Sequence, residues 1–400
     1  MPSLSIPKLT FELPHRSGPD VVGLDIQPGL VAAVRARVNG SILAQRAAAL
    51  PLASDTVREG EVMDESALAD ALRELFLGSH LSKRVRVGVA NQRTVLRTLE
   101  LPPVTDRKEL AAAVLFQAQD QVPMALSNAV LDFHPLGIVD TPQGPRQRVA
   151  LVAAQRDMIE HLLLAVRRAG LRPAGIDLSA FALIRSLYRP DPEHSGRVVY
   201  LNVDGVTNLA IAEGTLCRFT RVLGGGMESM AAELAERGQM ALPKARSLLS
   251  SVDLVADRPP GPAEAMPPFA EPPAQAAVGE AALGTFLAPK DPRGEALGAD
   301  VPPTQVSPRA LLESGIRQIA GEVQKSLEFH TSQEGGGQVS LVVLSGSALD
   351  VPGFGEQLQS ALGVEVRCEA VELADQSLAG TVSTHRLAVA AGLTATETPG

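Results

Sequence analysis

Val21-Val22-Gly23-Leu24-Asp25-Ile26-Gln27-Pro28-Gly29 is the stretch that decides the fold. An apolar, β-branched run reaches an acidic residue and a Pro-Gly turn, then resumes as a second strand-like run from Leu30 to Val38. Short apolar runs closed by Pro and Gly read as buried strands joined by a tight turn. The construction recurs in mid-chain: Val198-Val199-Tyr200-Leu201-Asn202-Val203-Asp204-Gly205 leads into Thr207 to Ala212. A third run, Val339 to Leu344, ends in Ser345-Gly346-Ser347. Two carboxylate-tipped hairpins and a late glycine turn predict two similar lobes closing around one cleft.

Bulk properties narrow the field. A chain of 400 residues favours two or more domains. A hydrophobic content of 45% with 20% charged residues is that of an ordinary globular protein. The net charge of -9 argues against a nucleic-acid footprint, which needs a basic face, and the absence of tryptophan argues against base-stacking platforms. Cys217 and Cys368 are the only cysteines, so neither a zinc motif nor a disulfide framework is expected, in keeping with a reducing compartment. No apolar run approaches the roughly 20 residues that span a bilayer. Residues 1–17 have no continuous apolar segment of the secretory kind and read as a loose tail, with a docking segment as the alternative.

Between and after the hairpins, strands alternate with helices, an α/β pattern. Asp64 caps a helix bearing Leu68, Leu72 and Leu75, and Val85, Val87 and Val89 form a strand. Thr94 to Leu101, a helix capped at Asp106, and strands Ala129 to Ile138 and Arg148 to Ala154 follow. A helix then ends at Gly170, Leu171 to Leu178 is a strand, and Ser179 to Tyr188 a helix. Residues 256–308 break the pattern: rich in Pro, Ala, Gly and Glu, they lack the apolar groups that offset ordering entropy, and a disordered insertion is expected. Residues 396–400 read as a frayed tail.

In this order the segments resemble the PilM family, actin-like proteins of type IV pilus assembly similar in fold to FtsA. The likeness rests on Gly23-Leu24-Asp25-Ile26, on Leu101-Pro102-Pro103 with the helix to Gln121, and on Gln155-Arg156-Asp157 with Ala169 to Pro173. Arg221 to Gly226 and Leu344 to Ser347 with Val351-Pro352-Gly353-Phe354 complete it. It implies a two-lobed actin-like, ribonuclease H-like α/β fold with an inserted α/β subdomain. The first lobe would span 18–195, the insertion in it about 93–154, and the second lobe 196–395.

The resemblance also implies a nucleotide cleft with ATP and magnesium as cofactors. Hairpin glycines let backbone N–H groups approach phosphates, and a hairpin carboxylate holds the metal, usually through water. On that basis Asp25, Gln27, Gly29, Asn202, Asp204, Gly205, Thr207, Gly224, Gly225, Gly226, Gly346 and Ser347 are the candidate nucleotide residues, and Asp25 the candidate metal ligand. Yet the motifs depart from the family pattern. Gln27-Pro28-Gly29 stands where Gly-Ser-Ser is usual, Ala32 replaces a lysine, and Ser347 replaces a second glycine. Pro28 has no N–H to offer. Either Asn202 or Asp204 occupies the acidic position of the second hairpin, and Asp204 would set a like charge against phosphate.

The function expected by resemblance is therefore a cytoplasmic scaffold of the pilus machine with a degenerate cleft. It would bind the N-terminal cytoplasmic tail of a bitopic PilN-like inner-membrane partner, which holds it at the membrane's inner face. Arg93, Arg97, Leu115 and Gln119 are the candidate contacts for that tail. The alternatives are an active ATP-binding or ATP-hydrolysing protein and an FtsA-like membrane-associated filament protein.

Overall fold

The computed structural model describes residues 21–38, 40–142, 144–194, 196–255, 307–332, 337–375 and 382–396. The expectations for the 1–17 tail, for nearly all of the 256–308 insertion and for the last four residues fall outside them.

The first hairpin forms as its sequence dictates. β1 (Val22–Gln27) and β2 (Leu30–Val38) pair antiparallel across a two-residue turn, with Gln27 opposite Leu30 and Asp25 opposite Ala32. β3 (Ile42–Pro51) extends the meander, and the short β4 (Val57–Arg58) and β5 (Glu61–Val62) pair with each other. Asp64 then accepts from the amides of Ser66 and Ala67 and starts α1 (Glu65–Phe76), which buries Leu68, Leu72 and Leu75 at helical spacing. β6 (Arg84–Val89) returns parallel to β1.

A separate layer follows: β7 (Thr94–Leu101), α2 (Arg107–Gln121), β8 (Ala129–Thr141) and β9 (Gly144–Gln155). Its antiparallel sheet runs β7-β9-β8 and packs α2 through Leu110, Val114 and Ala118, a core of its own. The chain then rejoins the first sheet through α3 (Arg156–Arg168) and β10 (Arg172–Leu178), which lies parallel to β6.

After α4 (Ser179–Leu187) the second lobe repeats the plan. β11 (Arg197–Val203), β12 (Thr207–Glu213) and β13 (Leu216–Leu223) form the meander. α5 (Met227–Arg237), α6 (Leu242–Ser250) and α7 (Pro308–Ser332) lead to β14 (Val339–Ser345), and α8 (Phe354–Leu362) to β15 (Glu365–Cys368). Both sheets therefore share one order, third-second-first-fourth-fifth: β3-β2-β1-β6-β10 and β13-β12-β11-β14-β15.

The lobes are tied at their base. β16 (Glu372–Leu373) adds to the first sheet alongside β3, and α9 (Ala388–Gly392) packs on α4 and on β1 and β2. A shared apolar core runs between the sheets, from Val34 and Ile42 through Leu183 and Val389 to Tyr200 and Val343. The buried Arg185 guanidinium donates to the Gly392 carbonyl at 3.1 Å and pairs with Asp177, and Arg86 donates to the Leu393 and Ala395 carbonyls. Guanidinium groups held in this way tie Gly392, Leu393 and Ala395 to the first lobe.

Candidate functional site

The two hairpin turns meet across the cleft. Asp25 is 3% exposed, and both of its carboxylate oxygens accept from the Gln27 side-chain amide, at 3.2 and 3.3 Å. The Gln27 carbonyl oxygen in turn accepts from the Val206 amide at 3.4 Å, so one side chain on the first hairpin reaches the turn of the second. Beside it Gly205 lies flat against Pro28: a β-carbon at position 205 would sit 2.3 Å from the Pro28 carbonyl oxygen. Only glycine permits that approach.

The second hairpin turns in three residues, with Val203 opposite Thr207, where the first turns in two. That extra residue settles which of its two polar groups meets the cleft. Asn202 stays within the strand and its carbonyl oxygen accepts from the Ser345 hydroxyl at 3.0 Å, on the neighbouring strand. Asp204 occupies the turn itself, lines the cleft, and accepts from the Ser347 hydroxyl at 2.8 Å. Gly346, at φ +100, closes on the Val203 carbonyl and delivers Ser347 to that position.

Electrostatically the cleft is a trap for protons. Burial, and secondarily the facing Asp204, push the Asp25 carboxyl up to about 7, against the opposing hydrogen bonds from Gln27 and Ile26. Burial raises Asp204 as well, while Arg386 and the Ser347 bond pull it back. Arg386 is itself paired with Asp350 at 3.1 Å.

Four groups that the sequence reading passed over close the cleft mouth. Glu228, at the start of α5, forms an ion pair with Arg246 on α6, and Arg246 also donates to the Leu52 carbonyl of the first lobe at 3.4 Å. Gly29 packs against the Glu228 carboxylate. Asp350 and Arg386 complete the lining. The one signal for α6 in the sequence is Pro243 near a helix start with Ala245 and Leu249 at helical spacing, and it says nothing of Arg246's partner.

The structure thus gathers Asp25, Gln27, Gly29, Asp204, Gly205 and Ser347 at one cleft. It sets others aside. Thr207 is wholly buried, its hydroxyl without a partner among the described residues, and Gly224 and Gly225 line a different cavity, of about 240 Å³, against α7. Gly226 backs the Asp204 and Gly205 carbonyls and begins α5, with its amide bonded to the Ser229 hydroxyl.

These residues do not fit the nucleotide and magnesium that the resemblance implies. The pocket lined by both hairpin turns has a volume of about 80 Å³, enough for a few waters, whereas small-molecule sites run to about 300 Å³ or more. Both Asp25 oxygens are engaged by Gln27, Pro28 has no N–H to donate, and Asp204 adds a second carboxyl to the lining of the cleft. Among the described residues no group of three His, Cys, Asp or Glu side chains is arranged to hold a metal ion.

The partner candidates separate in the same way. Arg93 is held at the root of the inserted layer by Glu61 at 2.9 Å and Gln155 at 2.9 Å. Arg97 is exposed on β7, on the strand face of Leu99 that α2 covers. Leu115 and Gln119 are exposed one helical turn apart on α2, and Phe116, absent from the sequence reading, is 71% exposed beside them.

Two lobes of identical strand order, joined by a shared helical base and facing one cleft, define an actin-like protein with an inserted α/β layer. The pattern of the family described as type IV pilus assembly protein PilM matches residues 23–245, more than half of the chain. The chain belongs to the PilM family of type IV pilus assembly proteins. It is similar to a solved chain of the PilM-PilN type IV pilus biogenesis complex, with a TM-score of 0.70 and 21% identity over 94% of this chain and 97% of that one. More remote likenesses are the ethanolamine utilization protein EutJ from Carboxydothermus hydrogenoformans (TM-score 0.49, 14% identity, 97% and 92% covered) and MreB 5 of Spiroplasma citri bound to AMPPNP (TM-score 0.45, 11% identity, 93% and 94% covered).

Proposed function

We propose that the protein acts in pilus assembly as a scaffold, binding the N-terminal cytoplasmic tail of a bitopic PilN-like membrane protein through its inserted layer. The observation that carries this reading is the outer face of α2. Leu115 is 51% and Phe116 71% exposed, and Ile138 of the same layer is 63% exposed. Three large apolar side chains left uncovered in one small layer are what a partner's apolar anchors would cover. The likeness to a chain of the PilM-PilN complex over nearly its whole length supports the choice of partner. Arg97 and Gln119 would add polar contacts to an extended peptide, while Arg93, engaged by Glu61 and Gln155, braces the layer. No helix among the described residues is long and apolar enough to cross a membrane, and attachment through the partner is the reading we adopt.

The test is a calorimetric titration with a peptide from the partner's N-terminal tail. Changing Arg97 to Glu together with Gln119 to Lys should weaken binding at least about tenfold, near 1.4 kcal/mol, with an unchanged melting temperature. Undiminished affinity in that double variant and in Phe116→Ala would place the interface elsewhere.

A further inference from the structure

The chain has only two tyrosines and no tryptophan, and both tyrosines, Tyr188 and Tyr200, line one crevice to which the inserted layer contributes no residue. It has a volume of about 360 Å³, within the range of small-ligand sites. Its place in the fold follows from coverage. α4 packs over β11, β12 and β13, and the sheet continues past it into β14 and β15. There Val198 pairs with Leu341 and Tyr200 with Val343, giving an apolar floor, with Arg367 next in register. The wall is formed by Tyr188 and Arg189 with Pro190, Asp191, Pro192 and His194.

Tyr200 is 2% exposed as a residue and lines the crevice beside Tyr188. Burial, with Tyr188 and Glu369 nearby, holds the Tyr200 phenol protonated well above its ordinary range. The charges around the crevice decide what would complete it. Arg189 is fixed by the Ser186 and Tyr188 carbonyls at 3.1 and 2.9 Å and faces Glu372 at 3.6 Å. Arg367 is paired with Asp191 at 3.0 Å and Glu365 at 3.3 Å. His194 lies between the same two carboxylates, at 3.0 and 3.4 Å. Glu369 alone of the lining charges has no ion-pair partner among the described residues.

We propose that this crevice binds an organic cation, an alkylguanidinium or alkylammonium group, whose charge meets Glu369 and the tyrosine rings while its stem lies on Val198, Leu341 and Val343. Aromatic faces attract such cations, and a phenol oxygen has lone pairs to accept their N–H groups. An anion would instead meet the one unmatched carboxylate. Aliphatic stems suit the apolar floor, as they do wherever long cationic side chains are packed.

The two tyrosines make the test specific, because ring-labelled protein gives tyrosine signals from this crevice alone. Agmatine, the neutral n-butylurea, and a capped Gly-Arg-Gly peptide would be titrated separately into the full-length protein. Saturable shifts of the Tyr200 ring signals are expected with agmatine or the peptide and not with n-butylurea. A response to agmatine points to a free small cation, and a response to the peptide alone to the arginine of a polypeptide. Glu369→Gln should weaken the binding about tenfold with an unchanged melting temperature, since no partner is lost, and Tyr200→Phe should weaken it less. Ring signals unmoved by all three probes, equal binding of n-butylurea, or full affinity in Glu369→Gln would overturn the proposal.

Discussion

Replacing Asp25 by Asn should stabilise the protein at alkaline pH, the reverse of what removing a metal-holding carboxylate would do. In the native state Asp25 keeps its proton up to about pH 7, against 3.8 when unfolded. Between those values the native protein binds the extra proton, so stability falls as pH rises and the loss is complete above about pH 7. The difference corresponds to about 4 kcal/mol at most, at about 1.4 kcal/mol for each pH unit. Asn has nearly the same shape, still offers Gln27 an acceptor, and carries no charge to face Asp204. Urea denaturation of both proteins at pH 5 and pH 8 reads the effect. The wild-type midpoint should drop between the two, the variant should drop less, and at pH 8 the variant should be the more stable. A variant less stable than wild type at pH 8 by more than about 1 kcal/mol would mean that the charge is favourable in the fold, and the closed-cleft reasoning would fail.

Other consequences follow from the same contacts. Asp204→Asn should lower the apparent pKa of Asp25, read from its carboxyl carbon signal, because a facing charge is removed. Gly205→Ala drives a β-carbon into the Pro28 carbonyl and should cost about 2–4 kcal/mol in urea denaturation, with a larger radius of gyration in solution scattering if the hairpins part. Arg246→Ala strands Glu228 and removes the bond to Leu52, at a cost of about 1–3 kcal/mol, which Glu228→Gln in the same chain should partly restore. Phe116→Ala, by contrast, should leave the melting temperature unchanged, since that ring is exposed, and show itself only in partner binding.

Most of the framework was legible because it is local. β-branched runs ended by Pro-Gly or Asp-Gly specify hairpins, and Asp64 and Asp106 announce helices whose caps they then form. What could not be read was long-range. Asn202 and Asp204 both suit the acidic position by spacing, and the choice depends on a three-residue turn and on Ser345 and Ser347, more than 140 residues away. The closing pair of Glu228 and Arg246 requires α6 to stand against α5, which no periodicity conveys. The role of Gln27 also lay beyond the sequence: it follows the carboxylate by two on one strand, so the two side chains share a face, and Val206 is brought to it only by the fold.

These long-range contacts bear on how the protein would serve its partner. The lobes are joined at the base by a common apolar core and at the top by Gln27, Gly205 and Arg246, so both ends of the cleft are fixed. A hinge restrained at both ends has little freedom to open, and differential affinity for an open state is what a ligand would need to shift it. The inserted layer is rooted in the first lobe through Arg93 and also touches β13 of the second through β7. A partner seated on α2, as proposed, would therefore rest on both lobes together. In such an arrangement the closed cleft would serve the proposed binding by holding α2 in place, since a surface that is already ordered gives up little entropy when a peptide docks. Loosening the cleft by Arg246→Ala should then weaken partner binding from a distance, by a smaller factor than Phe116→Ala. Equal affinity in the Arg246 variant, with its cleft shown to be open by solution scattering, would show that the inserted layer binds independently of the lobes.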